Sequence, residues 1–197
     1  MQKKIFRVLL ICLFSCSILS AEVEEIVMKW NALLCLDVCI PTLQQQLGYI
    51  TNVTDVQINP RAGAAVMRWK PNYPFSYEPF NLASRMVGTR IIDFRMKVRG
   101  TINRQQDNYY LVSTGDNSSF LLLGPLRAEP NRYIIWSNIA SHPLSPKLRQ
   151  QLLIAANDGQ IVEIEGPLFQ PWRYLLMLIV EQIKFPEEDQ INPQYGL

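Results

Sequence analysis

Alternation of apolar and polar residues along many short segments is the feature that most restricts the fold of this chain. A period of two residues is typical of strands that bury one face of a sheet. Only three stretches, 41–47, 76–87 and 146–156, carry apolar residues at the spacing of a helix. The sequence therefore predicts a mixed α+β protein in which strands outnumber helices.

The first half of the chain, residues 22–92, shows the order strand, helix, strand, strand, helix, strand. In its first helix Leu43 and Leu47 lie four residues apart, and Gly48 can end the helix. This order predicts a ferredoxin-like βαββαβ domain. The second helix is expected to begin after Ser76 as its N-cap. Its apolar residues at helical spacing are Phe80, Leu82, Ala83, Met86 and Val87.

The second half, residues 93–185, consists mostly of strand-like segments with one helix before the last two strands. The turn sequence 115–118 predicts a hairpin, and 173–185 is expected to form one long closing strand. Three strands, a helix and two strands are the order of an OB-like β-barrel domain. A further apolar run at 133–136 has no evident pairing partner, and the polar tail 186–197 is expected to be unstructured.

The first 21 residues have the three-part pattern of a secretory signal: a basic start, an apolar run and a small-residue end. The sequence Leu13-Phe14-Ser15-Cys16 resembles a bacterial lipobox, which implies lipidation of Cys16 and a lipid anchor to the membrane. Cleavage after Ala21 would instead release a soluble protein. Both alternatives predict export to the bacterial envelope, as a periplasmic protein or as a membrane-anchored lipoprotein.

Net charge argues against a nucleic-acid partner. The whole chain carries +2, but three of its positive charges lie in the predicted leader, which leaves −1 for residues 22–197. A near-neutral body has no electrostatic attraction to phosphate backbones. The 48% hydrophobic content also excludes a disordered tail protein.

Two cysteines, Cys35 and Cys39, remain after the leader, and they lie between the first predicted strand and the first predicted helix. A cysteine near a helix N-terminus is stabilised as a thiolate by the helix dipole. In an oxidising compartment such a pair forms a disulfide, a metal site or a redox couple. The residues alone leave these alternatives open, because two cysteines are a weak metal signal.

The segment around this pair resembles the heavy-metal-associated domain of copper chaperones and metal-pumping ATPases. Residues 39–43, followed by Leu47, match the second cysteine and first helix of that family, and the resemblance covers 26–92. It implies that Cys35 and Cys39 bind a soft metal ion, copper or zinc. Three residues separate the two cysteines here, whereas the family has two, and Cys35 therefore falls one residue early.

A second candidate site is the basic side of the strand that follows, where Arg95, Lys97 and Arg99 alternate with apolar residues. On an OB-like barrel such a strand could bind an envelope protein or a glycan. Alternatively, these basic side chains only face solvent and bind no ligand.

Catalytic motifs are absent from the sequence. His142 is the only histidine, which argues against catalytic triads and zinc sites with several imidazoles. Glycine-rich phosphate loops are also missing. We therefore expect a non-catalytic binding protein. The leading hypothesis is a metal-binding protein, and the alternative is an envelope adaptor in which the cysteines only staple the first domain.

Overall fold

A computed structural model of the chain describes residues 23–31, 39–113, 115–126 and 138–185. Within these ranges nine strands form one mixed sheet accompanied by three α-helices, which confirms the predicted α+β class. The predicted leader, Cys35, the run 133–136 and the tail 186–197 lie outside the described residues. The elements are β1 (Val23–Trp30), α1 (Cys39–Gly48), β2 (Val53–Asn59), β3 (Ala64–Trp69), α2 (Glu78–Met86), β4 (Ile91–Gln105), β5 (Asn108–Val112), β6 (Ser119–Leu123), a 3-10 turn (Ile139–Ser141), α3 (Pro146–Asp158), β7 (Ile161–Pro167), β8 (Leu176–Ile179) and β9 (Gln182–Lys184).

The first four strands lie in the order β2-β3-β1-β4, and each neighbouring pair is antiparallel. Helix α1 connects β1 to β2, and α2 connects β3 to β4. Strand β1 buries one face, as the alternation of apolar and polar residues predicted, since Ile26, Met28 and Trp30 are all buried. Leu43 and Leu47 of α1 are also fully buried, as their spacing predicted.

Strand β4 is shared by the two halves of the chain. Its residues up to Val98 pair with β1, residues 95–101 pair with β7, and residues 101–105 pair with β5. Two separate strands were predicted here, but the chain continues as one strand of 15 residues. Gly100 permits the close approach of β5 to β4, since a Cβ atom at this position would lie 2.4 Å from the carbonyl oxygen of Val112.

The later strands leave β4 in two branches, which are connected within the described ranges by a single bridge between Leu168, just after β7, and Leu178 on β8. β5 and β6 follow as antiparallel neighbours, β8 lies parallel to β6, and β9 pairs with β7, which pairs with β4. The prediction of one long strand over 173–185 is wrong because the chain changes partners at Val180 and Glu181. The amide of Val180 donates to Leu123 and the amide of Glu181 donates to Glu165.

Helix boundaries follow local chemistry where the sequence provides it. Ser145 caps α3, since its hydroxyl accepts a hydrogen bond from the amide of Leu148 at 3.1 Å. Gly159 ends the same helix in the left-handed conformation. The predicted cap of α2 is wrong by one residue: Tyr77, not Ser76, occupies the N-cap position, and its side chain makes no capping bond.

One buried apolar cluster extends through both halves. The ring centroid of Phe75, in the connection between β3 and α2, lies 6.1 Å from that of Phe94 and 6.3 Å from that of Phe120. The Phe75 amide also donates a 2.8 Å hydrogen bond to the hydroxyl of Ser118, which donates in turn to the buried carboxylate of Asp116 at 2.7 Å. These contacts fix the connection of the first half against the β5–β6 hairpin of the second.

Within the described ranges, no helix combines the length and the apolar character needed to cross a membrane.

Candidate functional site

Cys39 is the first residue of α1 and packs, half-buried, against the core. Its sulfur is in a disulfide, so it does not titrate. A disulfide sulfur is not a thiolate ligand, and metal binding at Cys39 would first require reduction. The described residues contain no group of three or more His, Cys, Asp or Glu side chains placed to hold a metal ion.

Lys97, at the centre of the predicted basic face, lies between two carboxylates. Its Nζ atom is 3.2 Å from Glu24 on β1 and 3.1 Å from Glu163 on β7, and Lys184 on β9 approaches the same Glu163 at 3.4 Å. Burial alone would lower the pKa of Lys97, but the hydrogen bonds and charges of Glu163 and Glu24 outweigh it and raise this pKa above its usual value. Lys97 is therefore held as a cation by neighbours within the sheet.

The other two residues of this face have similarly crowded surroundings. Arg95 pairs with Glu181 and lies 3.9 Å from Asp93, which also faces Lys29 at 3.7 Å. Arg99 is half-buried, and its register partner on β7 is Glu163. The sequence prediction correctly places Arg95, Lys97 and Arg99 on one side of the strand. An anionic ligand at this side would have to compete with the carboxylates that already pair with Arg95 and Lys97.

His142 follows the 3-10 turn, outside any helix or strand, and is buried. Its Nδ1 atom lies 3.0 Å from the carbonyl oxygen of Gly124 and donates to it, and its ring packs against Phe169 at a centroid distance of 4.6 Å. These contacts give the imidazole a packing role between two segments of the second half.

An apolar groove lies on the helical side of the first half, between the end of α1 and the length of α2. Its volume is about 360 Å³. Three large apolar residues on its rim are exposed: Leu82 (56%), Met86 (62%) and Tyr49. We call this surface the helix groove. Its lining residues are Gln46, Tyr49, Ile50, Thr51, Asn52, Trp69, Pro74, Ser76, Pro79, Leu82, Ala83 and Met86.

The groove exists because α2 carries apolar residues on two sides. Phe80 and Ala83 are buried against the sheet, while Leu82 and Met86 project from another side of the same helix. Successive residues turn by about 100° around a helix, and the two pairs are therefore centred about 110° apart. The sequence prediction grouped Leu82 and Met86 with Phe80 and Ala83 as apolar residues at helical spacing, and a helical projection would have separated the two pairs.

Hydrogen bonds keep the walls of the groove in place. The indole Nε1 of Trp69, on its floor, donates to the carbonyl oxygen of Tyr73 at 2.7 Å. On the α1 side, Gln45 donates to the hydroxyl of Tyr49 at 2.6 Å. Every lining residue is uncharged. The groove is thus an ordered, neutral, largely apolar surface.

Comparison with protein-family models, with curated proteins and with solved structures finds no match to this chain.

Proposed function

We propose that this protein is an exported, non-catalytic adaptor that binds an apolar segment of a partner protein in the helix groove. The observation that carries the proposal is the exposure of Leu82 and Met86 on the rim of an ordered concave surface. Contiguous exposed apolar groups at a concave site are typical of protein-binding surfaces.

The chemistry of the lining favours a polypeptide with apolar side chains over a charged polymer. An uncharged groove offers no ion pair to a phosphate or an anionic glycan. Met86 has a flexible, polarisable side chain that can adapt to the shape of a partner. Covering the exposed parts of Leu82 and Met86 would contribute about 1 kcal/mol or more each at the usual value per buried area.

The disulfide of Cys39 supports the adaptor hypothesis over the metal hypothesis. Helix α1 and the residue that follows it supply one wall of the groove through Gln46 and Tyr49, and Cys39 is the first residue of α1. A cross-link there restricts the position of this wall. In this proposal the cysteines are structural, and the binding site is the groove rather than the strand face of Arg95, Lys97 and Arg99.

We also propose the finer fold assignment. The strand order β2-β3-β1-β4 with helices in both crossings supports a ferredoxin-like first domain. The two branches β4-β5-β6-β8 and β4-β7-β9, joined by the bridge between Leu168 and Leu178, and the position of α3 before β7 support an OB-like barrel in the second half.

Site-specific photo-crosslinking in the native host tests the adaptor proposal. A benzophenone amino acid at position 82 should give one discrete adduct with a partner protein, and Met86→Asp should abolish it. The same probe at position 154, an exposed apolar site on α3, is the matched control. Identical adducts from positions 82 and 154, or an adduct at 82 that survives Met86→Asp, would refute the groove as the binding site.

A soft-metal function is the second candidate, favoured by the position of Cys39 at the N-terminus of α1, where a thiolate would be stabilised after reduction. Thiol counting and metal analysis on protein isolated from its native envelope distinguish the two functions. The adaptor proposal predicts no free thiol and no bound metal. Free thiols with about one copper or zinc ion per chain, lost in Cys39→Ser, would favour the metal function.

A further inference from the structure

The turn between β7 and β8 exposes four consecutive residues, Trp172, Arg173, Tyr174 and Leu175. Trp172 retains 69% of its accessible surface, and Tyr174 and Leu175 are also exposed. We call residues 172–175 the aromatic tip. Three large apolar side chains exposed on one turn are typical of a surface that binds a partner or a membrane.

The backbone beneath the aromatic tip is firmly held. The amide of Arg173 donates to the carbonyl oxygen of Gln170 at 3.0 Å, which closes the turn. The amide of Phe169 donates to Met177 at 2.8 Å, and both of these side chains are buried. The tip is therefore presented by an ordered support, and a binding partner would not have to order this backbone on contact.

The composition of the tip fits the interface of a lipid bilayer. Tryptophan and tyrosine combine an apolar ring with a polar group and concentrate at the level of lipid headgroups. Arg173 is the only charged residue in 166–175, and its positive charge complements anionic headgroups. The apolar surface continues into a neighbouring cavity of about 470 Å³, which Trp172 lines together with the exposed Ile92.

We infer that the aromatic tip inserts into the headgroup region of a bilayer that contains anionic lipids. Trp172 and Tyr174 enter the interface, Leu175 reaches toward the acyl chains, and Arg173 pairs with lipid phosphate. The inference goes beyond the adaptor function and uses a different surface from the helix groove.

Quenching of tryptophan fluorescence by brominated lipids tests the inference on protein purified from the cells that produce it. The vesicles contain phosphatidylcholine and phosphatidylglycerol in equal parts. Quenching is expected for the wild type and should be largely lost in Trp172→Phe. Trp30→Phe is the matched control, since Trp30 is buried in β1 and does not line the helix groove, and it should retain the quenching.

The charge on the tip is tested separately. Arg173→Ala should weaken binding to the anionic vesicles by about fivefold, which corresponds to the loss of one basic residue at an anionic surface. Wild-type protein that shows no quenching, or equal quenching in the wild type and Trp172→Phe, would overturn the inference. The second result would show that the chain reaches the bilayer through another segment. Neither measurement depends on occupancy of the helix groove.

Discussion

Substitutions on the two sides of α2 should have very different effects on stability. Phe80 is fully buried, and its ring centroid lies 5.1 Å from that of Phe94, 5.9 Å from Trp69 and 6.1 Å from Phe75. Phe80→Ala removes these contacts and leaves a cavity, and we expect it to lower the free energy of unfolding by about 4 kcal/mol. Leu82, two residues away, has less than half of its surface covered. Leu82→Ala should therefore cost about 1 kcal/mol or less.

Urea denaturation followed by circular dichroism measures both free energies. The expected difference of about 3 kcal/mol corresponds to a change of roughly 150-fold in the unfolding equilibrium constant. Both variants replace a large apolar residue of the same helix with the best helix former, and helix propensity thus affects both measurements in the same direction. If Leu82→Ala were as destabilising as Phe80→Ala, Leu82 would belong to the core. The helix groove would then not be an available binding surface.

Three further predictions concern charge, close packing and a buried hydrogen bond. Burial opposes it, but hydrogen bonding to two glutamates raises the pKa of Lys97 above its usual value of 10.5. The stabilising contribution of Lys97 is therefore complete below pH 10.5 and is lost as the pH rises through the folded-state pKa. As the pH is raised through this range, the melting temperature of Lys97→Met should fall less than that of the wild type. Gly166→Ala should lower the melting temperature strongly, because the added Cβ would lie within 2 Å of a carbonyl oxygen of β8. Gly48→Ala should leave it nearly unchanged, because no atom lies within 4 Å of the added Cβ. Equal melting temperatures for the two variants would contradict this packing. Ser118→Ala leaves the buried amide of Phe75 without its acceptor and should cost about 1–3 kcal/mol in chemical denaturation, and a loss below 0.5 kcal/mol would show that the bond contributes little.

The spacing of apolar residues predicted the bounds of an element well where its pairing or packing partner does not change along its length. The predicted helix 146–156 begins at the first residue of α3 and ends two residues before α3 does. The closing strand 173–185 was mispredicted because its apolar pattern continues through Val180 and Glu181. The change of partner there is a property of the sheet, and no residue period records it.

The candidate sites show the same limit. Alternation was enough to place Lys97 on one side of β4, but its partners Glu24 and Glu163 come from strands far away in the sequence. In α2, helical spacing identified Leu82 and Met86 as apolar without indicating which apolar pair the sheet would cover. That choice depends on the orientation of the helix, which is set by tertiary packing.

The sharing of β4 has a practical consequence for dividing the chain. A cut between residues 92 and 93, where the sequence pattern changes, would fall inside this strand and would remove the β4 partners of β1 from Val23 to Lys29. The amino-terminal fragment would then expose unpaired amide and carbonyl groups along β1, which is a template for aggregation. Fragments intended for expression should therefore retain β4 up to Val98 in the amino-terminal piece, and the two halves are best studied within one polypeptide.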